Sequence, residues 1–439
     1  MSVFRKIKKT LSILGPGLVT GASDDDPSGI ATYSQAGAQY GMATLWTALI
    51  TFPLMAAIQE MCARIGLITS VGLTTTLKKH YPRPILYLMM LFSVPAIILN
   101  IGADIAGMAA VSHLMFPSIH TFVLSLIISV ILVIVIVYLP YTKMVMVLKY
   151  LCLSLLLYIL VPFFTHPNWW SVLKHTFIPT IHMDRDFIGM LVAILGTTIS
   201  PYLFFWQVTM EAEDVKSVKK LVFVNKKLLR KNHIAEPELV KRERRFFSLL
   251  IRKMEVDVNF GMFLSNLVMF FIILATGTAL FANGINHINT VEEAATALEP
   301  VAGKASYLLF TVGVLGTGFL AFPVLSGSLS YIVSETFGWK GDLNKKFFQA
   351  KAFYIVIIAS IVVGLLINYT GISPIKALVY TAILYGITSP VLIAIVMHVG
   401  NSTKIMGEYK NGRLSNILGV LTLILMTVAA IALFYFQFS

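Results

Sequence analysis

Gly15-Pro16-Gly17, then Gly21-Ala22-Ser23-Asp24-Asp25-Asp26-Pro27-Ser28-Gly29, then Ile30-Ala31-Thr32-Tyr33, lie in one otherwise apolar stretch near the N-terminus. A proline in mid-span removes a backbone donor and disfavours helix in the residue before it. Three aspartates beside it make a plain membrane helix untenable. The stretch predicts a helix that breaks, with freed carbonyls lining a cavity or meeting a ligand. A second stretch, Gly196-Thr197-Thr198-Ile199-Ser200-Pro201-Tyr202, carries the same punctuation.

Working outward, the 439 residues are 57% hydrophobic and 13% charged, with mean hydropathy +0.81. Soluble domains carry about a quarter charged residues, so a cytosolic enzyme, a disordered chain and a disulfide scaffold are excluded. Two cysteines, Cys62 and Cys152, say nothing of redox compartment. Apolar runs long enough to cross a bilayer fall near 12–43 (interrupted), 45–70, 85–116, 119–139, 144–165, 186–213 (interrupted), 256–284, 304–336, 348–369, 374–400 and 413–437. The basic start, Met1 to Lys9, reads as the flank of an uncleaved first span. With the N-terminus inside and eleven crossings, 29 of 34 Lys and Arg fall on cytoplasmic segments. That bias predicts a multi-pass protein of the plasma membrane, N-terminus cytoplasmic and C-terminus extracellular.

The interrupted spans, one and six, are five apart. That spacing predicts two inverted five-helix repeats, about 12–165 and 186–400, each opened by a broken helix. The extra helix, about 413–437, is then an appendage to one membrane transport domain spanning 1–439. The expected fold class is all-α integral membrane, of the leucine-transporter type.

Asp26 is the sharpest candidate. A mid-span aspartate costs roughly 3 kcal/mol on insertion scales and points to function. With nearby carbonyls and hydroxyls it resembles a hard-cation site. The plainer alternative is an N-cap for the second half-helix, with Pro27 in its first turn. Thr197, Thr198 and Ser200 offer hard oxygen donors at the second break; the alternative is close helix packing. Asp25, Gly29, Asp104, Gln207 and Thr388 are secondary candidates. Glu60 and Arg64, four apart, read as an intrahelical pair.

The run Gly15-Pro16-Gly17 … Asp26-Pro27-Ser28-Gly29 … Ala31-Thr32 … Gln35-Ala36-Gly37-Ala38-Gln39-Tyr40-Gly41 resembles the first span of the NRAMP (natural resistance-associated macrophage protein) divalent metal transporters. Gln59, Ala63-Arg64-Ile65-Gly66-Leu67-Ile68-Thr69 and Ile405-Met406-Gly407-Glu408-Tyr409 are similar to further family segments. The resemblance implies an eleven- or twelve-helix inverted-repeat fold and alternating access. Against the family's Asp-Pro-Gly-Asn, Asp26 matches and Gly29 replaces Asn. Against its Ala-x-x-Met-Pro-His-Asn, Thr197 stands for Ala, Ser200 for Met, and Tyr202-Leu203 for His-Asn. A later family histidine falls on Gln207. Asp104 matches a family aspartate, but Gly107 replaces a glutamate used in proton transfer. The pattern is most like the NRAMP-related magnesium transporter branch.

Losing the thioether removes a soft ligand that favours Mn, Fe or Cd. Gly29 in place of Asn enlarges the expected cavity. An all-oxygen site suits Mg²⁺, which keeps several of its waters. The expected function is a secondary transporter moving Mg²⁺ and Mn²⁺ into the cytoplasm without coupled protons. The alternative is a proton-coupled Mn²⁺/Fe²⁺, or trivalent metal, carrier. An organic-solute carrier of the same fold would not need Asp26 at the break, and a non-transporting metal sensor would bind Mg²⁺ without flux. No enzyme and no cofactor are expected; the divalent ion is cargo. The partners are the lipid bilayer and that ion, with no nucleic acid and no obligatory protein partner. The basic loop 214–257 reads as amphipathic helices on the anionic inner leaflet or as a flexible positive-inside loop.

Overall fold

The computed structural model describes residues 15–139, 158–231, 236–367 and 371–438. Residues 12–14 of the expected first span, 144–157 of the fifth and 368–369 of the ninth therefore lie outside it. Among the described residues the structure is helical throughout, without strands.

Twelve helices carry the argument. They are α1 (Pro16–Asp24), α2 (Pro27–Tyr40), α3 (Trp46–Thr69), α4 (Arg83–Met115), α5 (Thr121–Tyr138), α6 (Arg185–Thr198), α7 (Pro201–Lys231), α8 (Glu236–Ala279), α9 (Ser306–Phe337), α10 (Lys351–Ile367), α11 (Pro374–Asn401) and α12 (Arg413–Phe438). Among the described residues, eight helices are long and apolar enough to cross a membrane by length and composition. The broken first span and the shorter Lys351–Leu366 stand beside them.

Both breaks fall at the prolines. α1 ends at Asp24, and α2 restarts with Pro27 in its first turn and Asp26 as N-cap. α6 ends at Thr198, and α7 restarts at Pro201. In a continuous helix the carbonyl of residue i accepts from the N–H of i+4. Pro27 and Pro201 have no N–H, so the carbonyls of Ser23 and Thr197 lose their donors. Hydroxyls replace them. Tyr202 Oη donates to the Ser23 carbonyl (2.9 Å), and Ser200 Oγ donates to the Thr197 carbonyl (2.5 Å). The Ser23 contact also joins the two breaks across the bundle.

The broken helices sit at the centre. The apolar stretch within Arg185–Lys216 is 100% buried, whereas that within Arg413–Gln437 is 22% buried, which places α12 at the periphery. The main core packs Met55, Ile58 and Met61 of α3 with Ile97 and Ile101 of α4 and Trp206 of α7. α1 lies directly on α8. A Cβ on Gly21 would sit 2.2 Å from the Gly261 carbonyl oxygen, so only glycine permits this approach.

The basic segment 214–257 departs from expectation. It forms neither separate surface helices nor an irregular loop over its described residues. α7 runs 31 residues and α8 runs 44, both continuous with their spans. At 1.5 Å per residue α8 is about 66 Å long, against about 30 Å of hydrocarbon, so helix projects beyond the apolar layer. Near its base Asp257 caps α1: its Oδ1 accepts from the Gly15 amide (2.8 Å) and its Oδ2 from the Gly17 amide (2.7 Å).

Glu60 and Arg64 pair as expected, and the network is wider. Buried Arg64 bonds Glu60 and also Glu255 of α8 (2.8 Å), while Ser415 of α12 donates to Glu60 Oε2 (2.5 Å). Removing one partner strands the other charge. Arg64→Leu is expected to lower the unfolding free energy by about 3 kcal/mol, read as a large drop in melting temperature of purified protein. An unchanged melt would mean the network adds nothing to stability.

Candidate functional site

Asp26 is 1% exposed and sits where α2 begins. Its Oδ1 accepts twice, from Ser28 Oγ (2.8 Å) and the Gly29 amide (2.8 Å). Asp26 is therefore an N-cap. Its Oδ2 accepts from Asn100 Nδ2 of α4 (3.0 Å), a partner the sequence reading missed. Asn100 Oδ1 in turn accepts from Thr381 Oγ1 of α11 (2.9 Å). The cap thus occupies one oxygen and leaves the other facing a single neutral amide.

The residues of the second break fall into two groups. Thr197 reaches the Asp26 cluster, with its Oγ1 3.5 Å from Ser28 Oγ. Thr198 and Ser200 do not reach it with their hydroxyls. Thr198 Oγ1 donates to the Ile194 carbonyl (2.7 Å) and meets Tyr33 Oη (3.2 Å). Ser200 closes on its own helix turn, at the Thr197 and Gly196 carbonyls. A thioether does come near: Met269 Sδ of α8 is 3.7 Å from Thr198 Oγ1.

The secondary candidates also separate. Asp25 shares the hydroxyl of Ser265 with Asp24, at 3.4 and 2.7 Å, on the α8 side. Gly29 does not border an open space. A Cβ there would lie 3.1 Å from the Asp24 carbonyl oxygen and 3.4 Å from Thr197 Oγ1, so the roomier cavity expected of a glycine is closed in this conformation. Asp104 lies one turn beyond Asn100 on α4. It approaches the Ser28 amide, yet neither of its buried oxygens has a hydrogen bond of ordinary geometry. Gln207 bridges α1 and α7 away from Asp26, accepting from Thr20 (2.5 Å) and donating to Glu211 (3.2 Å). Thr388 turns to its own helix, at the carbonyls of Leu384 and Tyr385. Its neighbour Ser389 is the residue that reaches the break, donating to the Ile199 carbonyl (3.0 Å).

The site is enclosed. A cavity of about 590 Å³ lies at the far end of α2, lined by Gln35, Gln39, Arg185 and Asp186, and Asp26 does not line it. A space that begins at Pro27 measures only about 20 Å³, room for about one water, and is bordered mostly by apolar side chains such as Ile30 and Ala31. Among the described residues no group of three His, Cys, Asp or Glu converges as a ready cage for a metal. What the arrangement offers is the buried carboxylate of Asp26, with those of Asp24, Asp25 and Asp104 buried nearby, beside hydroxyl, amide and carbonyl oxygens.

A bundle of membrane helices with two proline-broken helices meeting at a buried carboxylate is a fold of the leucine-transporter type. The family described as "Natural resistance-associated macrophage protein-like" matches residues 17–436, and the chain belongs to that family. Membership places it among transporters rather than enzymes. The chain is 23% identical over 420 residues to the "Divalent metal cation transporter MntH" of Caldanaerobacter subterraneus, covering 95% of this chain and 91% of that protein. It is 22% identical over 414 residues to the protein of that name from Bacillus subtilis, covering 93% and 88%. A manganese transporter of Eremococcus coleocola, solved with an aromatic bis-isothiourea compound, superposes with TM-score 0.71 at 17% identity, covering 96% of this chain and 86% of that one. The inward-facing conformation of Mhp1 superposes with TM-score 0.55 at 12% identity, covering 96% and 90%.

Proposed function

We propose that the protein moves Mg²⁺, and Mn²⁺ with it, into the cytoplasm by alternating access and without a coupled proton. The relatives named as divalent metal cation transporters support a divalent cargo. The choice of Mg²⁺ rests on one observation: around Asp26 the hydrogen-bonding groups are carboxylate, hydroxyl, amide and carbonyl, and the residue following Thr197-Thr198-Ile199 is a serine rather than a soft ligand. Oxygen donors suit Mg²⁺, and thioethers suit the softer ions.

In this reading Asp26 Oδ2 is the charged ligand. The proline-orphaned Thr197 carbonyl and the Thr197 hydroxyl complete the near side, with Thr198 and Ser200 shaping the break. Asp104 is the next oxygen on the route, Asp25 and Gln207 line the inner half, and Gly29 leaves backbone room for a hydrated ion once the bundle opens. Thr388 yields its place to Ser389. The two repeats, about 12–165 and 186–400, rock about this centre, with the helix at about 413–437 outside them. The protein sits in the plasma membrane with its N-terminus cytoplasmic and its C-terminus outside. Two charges moving inward gain about 4.6 kcal/mol per 100 mV, enough to drive uptake with no proton.

The test is uptake into liposomes that hold both an ion-sensitive and a pH-sensitive dye. Mg²⁺ influx that leaves the lumen pH unchanged is expected. Influx of Mn²⁺ alone, with acidification of the lumen, would establish the proton-coupled carrier instead.

A further inference from the structure

The group that faces Asp26 Oδ2 is the NH₂ of Asn100 (3.0 Å), so a cation reaching that oxygen from the Asn100 side meets an N–H donor where a ligand oxygen is needed. Asp26 Oδ1 is no alternative, because the Ser28 hydroxyl and the Gly29 amide already occupy it. For Asn100 to meet a cation on Oδ2 with an oxygen, its carboxamide must turn over. Its surroundings allow this. Thr381 Oγ1 touches both Asn100 Oδ1 (2.9 Å) and the Leu378 carbonyl (2.7 Å). A hydroxyl has one hydrogen and two lone pairs. With its hydrogen on Asn100 it serves the present orientation. With its hydrogen on Leu378 it accepts from Asn100 Nδ2 and serves the reversed one. Asn100 is fully buried. One turn along, the buried Asp104 approaches the Ser28 amide, and the buried Tyr385 hydroxyl of α11 approaches Asn100 itself, in neither case with a hydrogen bond of ordinary geometry.

We propose that Asn100 is a cation ligand that switches by a half-turn of its carboxamide. Its NH₂ holds Asp26 when no ion is bound, and its carbonyl oxygen joins Asp26 Oδ2 on the ion when one is. The inference rests on Asp26 being the cation site. The ligand set then spans α2, α4 and, through Thr381, α11, so ion binding is reported to two helices that do not carry the charge. An amide oxygen is a hard donor and adds to the preference for Mg²⁺.

The experiment uses the full-length chain in lipid nanodiscs and measures Mg²⁺ affinity by calorimetry, with the Mg²⁺-induced infrared difference spectrum as a second readout. Asn100→Ala is expected to weaken Mg²⁺ binding about tenfold, equivalent to about 1.4 kcal/mol. It is also expected to erase a difference band from a side-chain carboxamide C=O. The nearly isosteric Asn100→Asp keeps an oxygen for the ion. It should bind Mg²⁺ at least fivefold more tightly, and turn over more slowly in liposomes. Equal weakening by both variants, or a carboxamide band that persists in Asn100→Ala, would overturn the switch. If Asn100→Ala does not fold, the sign of the change in Asn100→Asp still decides. Asp26→Ala separates the two levels. Retained uptake there refutes the cation site itself, whereas lost uptake with wild-type Mg²⁺ affinity in Asn100→Ala refutes only the ligand role of Asn100.

Discussion

Asp26→Asn abolishes Mg²⁺ and Mn²⁺ uptake while the protein still folds: that is the expected result with the largest effect. The reasoning turns on what each carboxylate oxygen does. Oδ1 caps α2, accepting from the Gly29 amide and the Ser28 hydroxyl. An asparagine oxygen does the same, since Asn and Asp are about equal as N-caps. The fold therefore loses little. Oδ2 faces Asn100, and in the variant it becomes an NH₂, which cannot ligate a cation. The negative charge that compensates a dehydrating divalent ion disappears as well, in an enclosed site where water compensates poorly. Uptake should fall by at least 100-fold, with a melting temperature within a few degrees of the parent. Asp26→Ala should be equally inactive but also less stable, by about 1 kcal/mol, because it loses the cap. Uptake near the parent level in a folded Asp26→Asn would remove Asp26 from the site.

The comparison of the two substitutions bears on how far the sequence could be read. Asp26 and both breaks were legible because a proline or a charge in hydrocarbon is costly enough to be conspicuous. Asn100 was not. A neutral amide inside the apolar run 85–116 costs less and has no fixed partner in sequence, although its position four residues before Asp104 puts both on one helix face. The tenth span shows the angular limit of such reading. Thr388 and Ser389 are equally plausible by composition, but successive residues on a helix point about 100° apart, and only Ser389 meets the Ile199 carbonyl. The basic segment misled for a different reason. Lys- and Arg-rich sequence with scattered Leu and Phe has the same composition whether it is a loop, a surface helix or a helical extension, and only its continuity with α7 and α8 decides. Asp257 capping α1 from another helix is wholly tertiary; no local pattern announces it.

Ser200→Met is the second substitution with a large expected effect, and it tests why the ion should be a hard one. Ser200 Oγ now donates to the Thr197 carbonyl that Pro201 leaves without an N–H. Methionine removes that donor and brings a thioether to the same break. Two consequences follow. The unpaired Thr197 carbonyl costs about 1–3 kcal/mol when no ion is present, so the ion-free protein melts earlier. With an ion bound, that carbonyl and the sulfur both face it, and a soft donor favours Mn²⁺ and Cd²⁺ over Mg²⁺. The ratio of Mn²⁺ to Mg²⁺ transport efficiency should rise about tenfold, a difference of about 1.4 kcal/mol, and added Mn²⁺ should recover more of the lost melting temperature than added Mg²⁺. The side chain must find room, because Ser200 is 1% exposed and Tyr202 beside it is already bonded to Ser23. Ser200→Ala controls for this: it frees the same carbonyl without adding sulfur. If the alanine variant shifts the Mn²⁺ to Mg²⁺ ratio as far as the methionine variant does, the selectivity lies in the carbonyl and not in the softness of the ligand. If neither shifts it, Ser200 does not set the choice of ion.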